Sequence, residues 1–401
     1  MIKAFQDALP IMEQIEDAGF EAYFVGGSVR DYLLNKQIND IDIATSAMPE
    51  EIKEIFPHTI DVGIEHGTVM VVWNQSKYEI TTFRTESAYV DFRRPEQVFF
   101  VRQLKEDLKR RDFTINALAM DKNGHIHDYF NGRDSLNVKE IKTVGNPHER
   151  FQEDALRIMR GIRFVSTLGF NLEEKTKISM EKNKHLLSKI AVERISNEFE
   201  KLLLGIDANH AIRTMIDTGI YQYLPMLSGT EQGLYKLASH TIHHLNKNER
   251  WATLLICINV CDRTAIETFL RAWKLAVKQI RDIQQIIYWY RTREHMDSWT
   301  DVSLYSSSLT IAISAEKVFQ LLQHSNTWQD EKHLEKQFLN LVIKTKKELA
   351  VTGSDLLKWT SKQQGPWLKE ILSTIEEAAV EGKVANEKQL IKEWLEKCHL
   401  I

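Results

Sequence analysis

The stretch YFVGGSVRDYLLNKQINDIDIAT, residues 23–45, constrains the fold more than any other in this chain. An apolar strand runs into two glycines, a helix begins near Ser28, and a second strand, IDIAT, starts at Ile41. Strand, glycine turn, helix and strand in such close succession predict a mixed α/β unit. Glycine adopts backbone conformations closed to other residues, so Gly26 and Gly27 let the amides of the following helix approach a phosphate, with Ser28 placed to cap them. Such junctions also arise for steric reasons alone. Arg30 falls in the first helical turn, where a cation opposes the helix dipole unless an anion comes to it.

Asp40 and Asp42 are two apart on the predicted strand, so both carboxylates share one face while Ile41 and Ile43 take the other. Side by side they repel unless a cation sits between them. Paired hard oxygens suit Mg²⁺, which keeps several waters and shares its remaining positions with substrate phosphates. A solvent-facing polar edge gives the same pattern, but the glycines and Arg30 nearby tip the balance to a metal and a polyphosphate. Glu79, between Tyr78 and Ile80, is either a third carboxylate reaching the same metal from a neighbouring strand or a surface strand glutamate.

Two textures follow along the 401 residues, a length that allows more than one core. Up to about residue 145 the pattern mixes helix and strand, including an antiparallel hairpin of TVMVVW and YEITTF joined by Asn74-Gln75-Ser76-Lys77. Residues 86–97, ESAYVDFRRPEQ, are polar, contain Pro95 and read as a loop. From about residue 148 nearly everything is helical, beginning with NPHERFQEDALRIMRGIRFVSTLGF behind Pro147. Three cysteines without paired or Cys/His spacing argue against a disulfide frame or structural zinc and suit a reducing compartment. An acidic amphipathic start and the lack of a long apolar run make the cytoplasm the expected location. The net charge of −4 does not exclude nucleic acid, because local basic patches set the field a phosphate meets.

GGSVRD, NDIDIAT, EHGTV, RRDFTINALA, DYFNGRDSL, EDALRIMRGIRF and ERISNEFEKLLLG, in this order across residues 23–205, resemble the class II tRNA nucleotidyltransferases, the CCA-adding enzymes of the polymerase-β superfamily. The resemblance implies an α+β fold: a small mixed-sheet nucleotidyltransferase head over residues 1–145, then an all-α neck (146–205), body (206–290) and tRNA-binding tail (291–401). It implies that Gly27 and Arg30 contact the triphosphate, that Asp40 and Asp42 hold Mg²⁺, and that Glu79 completes the catalytic carboxylates. Arg111 is expected to approach the nucleotide's sugar and phosphates, and Asp154, Arg157, Arg160 and Arg163 to bind the nucleotide from the neck. The implied partners are the 3′ acceptor end of tRNA, CTP and ATP, with no membrane and no obligate protein partner.

Asp154, Arg157, Arg160 and Arg163 recur at steps of three, which places them on one helical face. One carboxylate against three guanidiniums leaves cations for phosphate; an ion-paired scaffold with a basic flank is the alternative. A carboxylate beside a guanidinium reads an amino group next to an unprotonated ring nitrogen, the order that cytosine and adenine share and that uracil and guanine reverse. Poly(A) polymerases and enzymes adding only CC or only A share such a head. The hairpin VGIEHGTVMVVW lacks the basic run expected of the former, and the loop whose loss the resemblance associates with CC addition is present at 86–97. An inactive RNA-binding homologue fits poorly with intact Asp40, Asp42, Asp154 and Arg157.

Overall fold

The computed structural model describes the chain except Met1, Asn39, 87–88, 91–93, 96–97, 324–329 and Ser361, and describes backbone alone at 86, 89–90 and 94–95. Two compact units divide it: Met1–Ser239 with Ala272–Lys274, and His240–Arg271 with Leu275–Ile401.

The first unit opens with helix α1 (Lys3–Asp17), whose apolar stripe buries Phe5, Ala8, Ile11, Met12 and Ile15. Strand β1 (Ala22–Val25), helix α2 (Gly27–Leu33) and strand β2 (Asp42–Thr45) follow, then β3 (Thr59–Gly63), β4 (Thr68–Trp73) and β5 (Ser76–Thr82). With Leu118–Met120 and Ile126–Asp128 these strands form one seven-stranded sheet, in the order Ile126–Asp128, Leu118–Met120, β1, β2, β5, β4, β3. Within this sheet, among the described residues, only β2 and β5 run parallel, and their register sets Asp42 beside Glu79. Neighbours in register project to the same face, so this one pairing brings together carboxylates 37 positions apart in the chain.

The β4–β5 hairpin is tighter than the four-residue connection expected from sequence. Asn74 and Gln75 both take positive φ, 48° and 67°, and Trp73 already pairs with Ser76. Such a two-residue turn matches the right-handed twist of the strands, so the ladder extends to its limit. The segment 86–97 is also not simply a loop. Arg84–Glu86 pairs with Val98–Phe100, and Tyr89–Val90 with Arg94–Pro95, while the rest of that segment lies outside the described residues.

The long helical run that begins at Pro147 is broken. Asn146 caps the helix Pro147–Glu153, accepting from His148 N, and a second helix covers Leu156–Leu168. Asp154 sits in the break, where its Oδ1 accepts the Leu156 N–H at 3.0 Å and so starts the second helix. Inside that second helix, a Cβ on Gly161 would lie 2.3 Å from Met180 Cε and 3.1 Å from the Phe113 ring. The missing side chain lets the helix settle against Phe113, which meets Phe164 edge-on at 5.7 Å.

The second unit is helical. One core gathers Trp289, Trp299, Leu304, Ala312, Ala315 and Leu334, and a buried Arg293–Glu316 pair at 2.8 Å is completed by the Trp299 indole N–H. Another is built on Ile343, Leu356, Ile375, Ile391 and Leu395, with Trp359, Trp367 and Trp394 packed on it half-buried. Among the described residues no helix is long and apolar enough to cross a membrane.

Candidate active site

A cleft of about 600 Å³ in the first unit is lined by Gly27, Arg30, Asp42, Arg111, Asp154, Arg157, Arg160 and Arg163. Asp40 and Glu79 lie in an adjoining depression that shares Asp42 with it. One end of this composite site is made by the sheet, the other by the helix Leu156–Leu168.

At the sheet end the glycine turn acts by close approach. Gly26 has φ of 69°, and a Cβ there would lie 3.0 Å from Arg111 Nη1 and 3.9 Å from Asp42 Oδ2. Any larger residue would push into the space between this guanidinium and this carboxylate. The expectation that Ser28 caps α2 is corrected: the N-cap position is Gly26, and the Ser28 hydroxyl donates back to Val25 O at 2.9 Å. Arg30 is held twice over, by Asp31 at 2.9 Å and by donation from Nη1 to Asn116 Oδ1 at 2.6 Å. The adjacent Asp31 answers the unfavourable dipole that a lone cation would meet at this position. Arg111 is anchored to Asp107 at 3.1 Å.

The strand begins only at Asp42, so Asp40 precedes it and the same-face argument for the two aspartates does not hold as a strand property. Asp42 instead shares its face with Glu79 across the parallel register. All three carboxylates are exposed to solvent. The protein mass around the cleft floor and the neighbouring Glu79 nonetheless raise the Asp42 carboxyl above its ordinary range, with Arg111 opposing. Among the described residues no three side chains close into a ready-made metal cluster. Hard oxygens that repel one another and leave most of a coordination shell open are the donor set Mg²⁺ tolerates best, and the residues present fit that ion.

The helical end departs from the expectation in two respects. Asp154 and Arg157 are not on one helix, because Asp154 occupies the break. Nor are the arginines left unpaired. Arg157 is buried, pairs with Glu153 at 2.6 Å, and donates to Arg150 O and Arg110 O at 3.1 Å. Arg160 Nε donates to Asp112 Oδ2 at 2.6 Å, Arg163 pairs with Glu198 at 2.5 Å, and Asp154 pairs with Arg194 at 3.0 Å. Burial alone would raise Asp112, but Arg160 and the donors Asn116 Nδ2 and Phe113 N more than reverse that, holding it well below the usual carboxylate range. Burial lowers Arg163 despite Glu198. One buried ring, Phe164, carries the guanidinium carbons of Arg163, Arg30 and Arg160 at 4.0, 5.2 and 5.7 Å from its centre.

Sequence reasoning missed Asp112, Glu153, Glu198, Arg194, Asn116 and Phe164. Glu153 is one helical turn before Arg157 in number and was within reach of an i,i+4 search, although the helix break lies between them. Phe164 follows Arg163 on the same helix but looks there like any core aromatic, and Asp112, Asn116, Glu198 and Arg194 come from distant segments, for which spacing carries no signal.

With this geometry in view, the comparisons place the chain. It is 49% identical over 401 residues to the CCA-adding enzyme of Bacillus cereus (strain ATCC 10987 / NRS 248), with both proteins covered in full, and 48% identical over the same length to that of Bacillus anthracis. The Bacillus stearothermophilus CCA-adding enzyme, solved in complex with CTP, superposes with a TM-score of 0.93 at 45% identity, covering 100% of this chain and 98% of that one. A Thermotoga maritima CCA-adding enzyme complexed with tRNA shares the fold, with a TM-score of 0.66 at 20% identity over 99% and 96% of the two chains. The Poly A polymerase head domain family matches residues 22–142, and tRNA nucleotidyltransferase domain 2 matches 242–395. A mixed-sheet nucleotidyltransferase head followed by helices is the class these matches define. The chain belongs to the family of CCA-adding enzymes.

Proposed function

We propose that this protein adds C, C and A, without a template, to the 3′ end of tRNA, taking CTP and ATP and releasing pyrophosphate in the cytoplasm. The observation that carries this reading is the composite site: exposed, mutually repelling carboxylates at one end face a wall of oriented arginines at the other. Gly27, Arg30 and Arg111 hold the triphosphate, and Asp40 and Asp42, with Glu79 beside them, are the residues that would hold Mg²⁺. Two such ions would supply the acidity that lowers the pKa of the tRNA hydroxyl and the charge that offsets the leaving pyrophosphate. The terminal 3′-oxygen forms a bond to the α-phosphorus, its proton passes to a carboxylate of the cleft, and the bond between the α-phosphorus and the bridging oxygen breaks. The catalytic head then spans residues 1–145, the base-selecting neck 146–205, the body 206–290 and the tRNA-binding tail 291–401.

Base choice is assigned to Asp154 and Arg157. Each is oriented by its own partner, Arg194 and Glu153, rather than by the other. Asp154 accepts from the exocyclic amino group and Arg157 donates to the ring nitrogen, which admits C and A and leaves buried groups mispaired with U or G. The test is to incubate tRNA lacking its 3′ end, and separately tRNA ending in C-C, with Mg²⁺ and each labelled nucleoside triphosphate, and to size the products. Addition of C, C and A and then arrest supports the proposal. On tRNA lacking its 3′ end with CTP and ATP together, products that stop at C or C-C or that carry A without C overturn it, as does an unbounded A tract on either substrate.

A further inference from the structure

The second unit contains a cavity of about 820 Å³ made entirely from its own residues. One wall is the helix Val277–Arg293, where Tyr288 and Arg291 are exposed and Gln284, one turn earlier and buried, donates its amide to Arg263 O at 3.0 Å, while Ile280, Ile283, Ile287 and Tyr290 of the same helix are buried on its inner side. A helix face turned to solvent is usually short and charged. This one instead presents an aromatic residue: Tyr288 is 59% exposed, and its ring meets the buried Trp289 edge-on at 5.3 Å. The opposite wall is the start of the helix Arg263–Ala272.

The charges of the cavity are unbalanced. Arg263 and Arg291 are both exposed and join no ion pair among the described residues. The one carboxylate on the wall, Asp262, is engaged by the backbone N–H groups of Thr264 and Ala265 at 2.9 and 3.0 Å, which fixes it to its own helix start. Two cations and an open aromatic face are the combination that holds an unpaired nucleotide, the base stacking on the ring and the phosphate meeting the guanidiniums. A simple carboxylate or phosphate would use the arginines and leave the aromatic and apolar surface bare. The volume is in the range that accepts one nucleotide.

We propose that this cavity is a second nucleotide site, separate from the catalytic cleft, in which a base stacks on Tyr288 and its phosphate lies between Arg263 and Arg291. The nucleotide is either an unpaired residue of RNA or a free nucleoside triphosphate. The site's existence does not depend on the reaction proposed above, although tRNA as the RNA source rests on that reading.

Full-length wild type, Tyr288→Ala, Tyr288→Phe and Arg291→Ala are compared in three measurements. These are anisotropy with a short unpaired oligoribonucleotide and with tRNA lacking its 3′ end, the stoichiometry of ATP by equilibrium dialysis, and C addition at saturating tRNA. Tyr288 and Arg291 are exposed, and thermal unfolding of each variant verifies that it folds. The RNA form predicts that Tyr288→Ala and Arg291→Ala weaken RNA binding roughly tenfold each, that Tyr288→Phe keeps it, and that the rate of C addition at saturation is unchanged. The free-nucleotide form predicts two ATP per chain in wild type and Tyr288→Phe and one in the alanine variants. Equal RNA affinity in all four proteins together with one ATP per chain in wild type overturns the site, and so does a Tyr288→Phe variant as defective as Tyr288→Ala. Failure of wild type to add C or A would instead count against the reaction and leave these binding outcomes readable.

Discussion

The two ends of the catalytic cleft solve opposite electrostatic problems. At the sheet end Asp40, Asp42 and Glu79 are exposed, and the Asp42 carboxyl is raised because its surroundings disfavour its charge. At the helical end Arg157, Arg160 and Arg163 each have a carboxylate partner, and Asp112 is lowered because its surroundings favour its charge. The first end is incomplete without a cation brought from outside. The second is complete within the chain, so its guanidiniums are already aimed when a nucleotide arrives and little ordering remains to be done. Substitutions at the first end should therefore remove chemistry and spare the fold, whereas those at the second should cost stability or selectivity.

The largest expected effect is at the sheet end. Asp42→Ala or Asp40→Ala should abolish addition of both C and A while tRNA affinity is kept, because an exposed ligand is lost rather than a binding surface. Stability should stay within about 0.5 kcal/mol of wild type, as for other exposed positions. Incorporation assays beside denaturant unfolding measure both, and a variant that loses activity by unfolding would erase the contrast between the two ends.

Next in size is Asp112→Ala at the helical end. It strands the Arg160 guanidinium and the Asn116 amide, at a cost of about 3 kcal/mol. The lower part of the range for buried pairs applies because the Arg160 side chain keeps 34% of its surface open. The sign with pH follows from a carboxyl held below its ordinary value of 3.8: the stabilisation is present in full above that pH and is lost as the pH falls beneath it. Urea midpoints of wild type and Asp112→Asn should thus converge only in strong acid.

Selectivity comes third. Asp154→Ala should reduce the preference for CTP and ATP over UTP by about 10- to 100-fold in kcat/KM, because U no longer sets its O4 against a carboxylate. It should also free Arg194, so the companion variant Arg194→Ala tests whether orientation of Asp154 matters. Unchanged discrimination in both would return this end of the cleft to the role of scaffold.

The same contrast explains what was legible in the sequence. The sheet end is local: the glycines, Arg30, Asp40 and Asp42 fall within one short stretch, and alternation places Glu79 on a strand, though only the parallel pairing of β2 with β5 reveals which carboxylate it stands beside. The helical end is assembled from far apart. Asp112 reaches the helix Leu156–Leu168 from the head, and the helix Val192–Leu204 brings Glu198 to it and Arg194 to Asp154 in the break, so counting charges along that stretch suggested free cations where the fold supplies a partner for each. The break at Asp154 was hidden because a local side-chain cap, not a glycine or proline, makes it.

The smallest expected effect concerns Phe164, where the two ends meet. Its ring lies within 6 Å of a guanidinium from the sheet end, Arg30, and of two from the helical end, Arg160 and Arg163. Three like charges around one point repel, and an aromatic face offsets part of that by about 0.5–1 kcal/mol per cation. Replacing Phe164 with Leu keeps most of the apolar volume and removes the quadrupole, so the arginines should spread in the free enzyme. The expected result is a rise in KM of about two- to fivefold for CTP and ATP alike, the worth of one such contact because the ion pairs still hold the guanidiniums, with kcat nearly unchanged once the nucleotide has drawn the arginines together. Phe164→Tyr should restore the wild-type KM, which a defect of packing alone would not require. A Leu variant that loses stability but keeps its KM would show that the ring only fills space and that the two ends act independently.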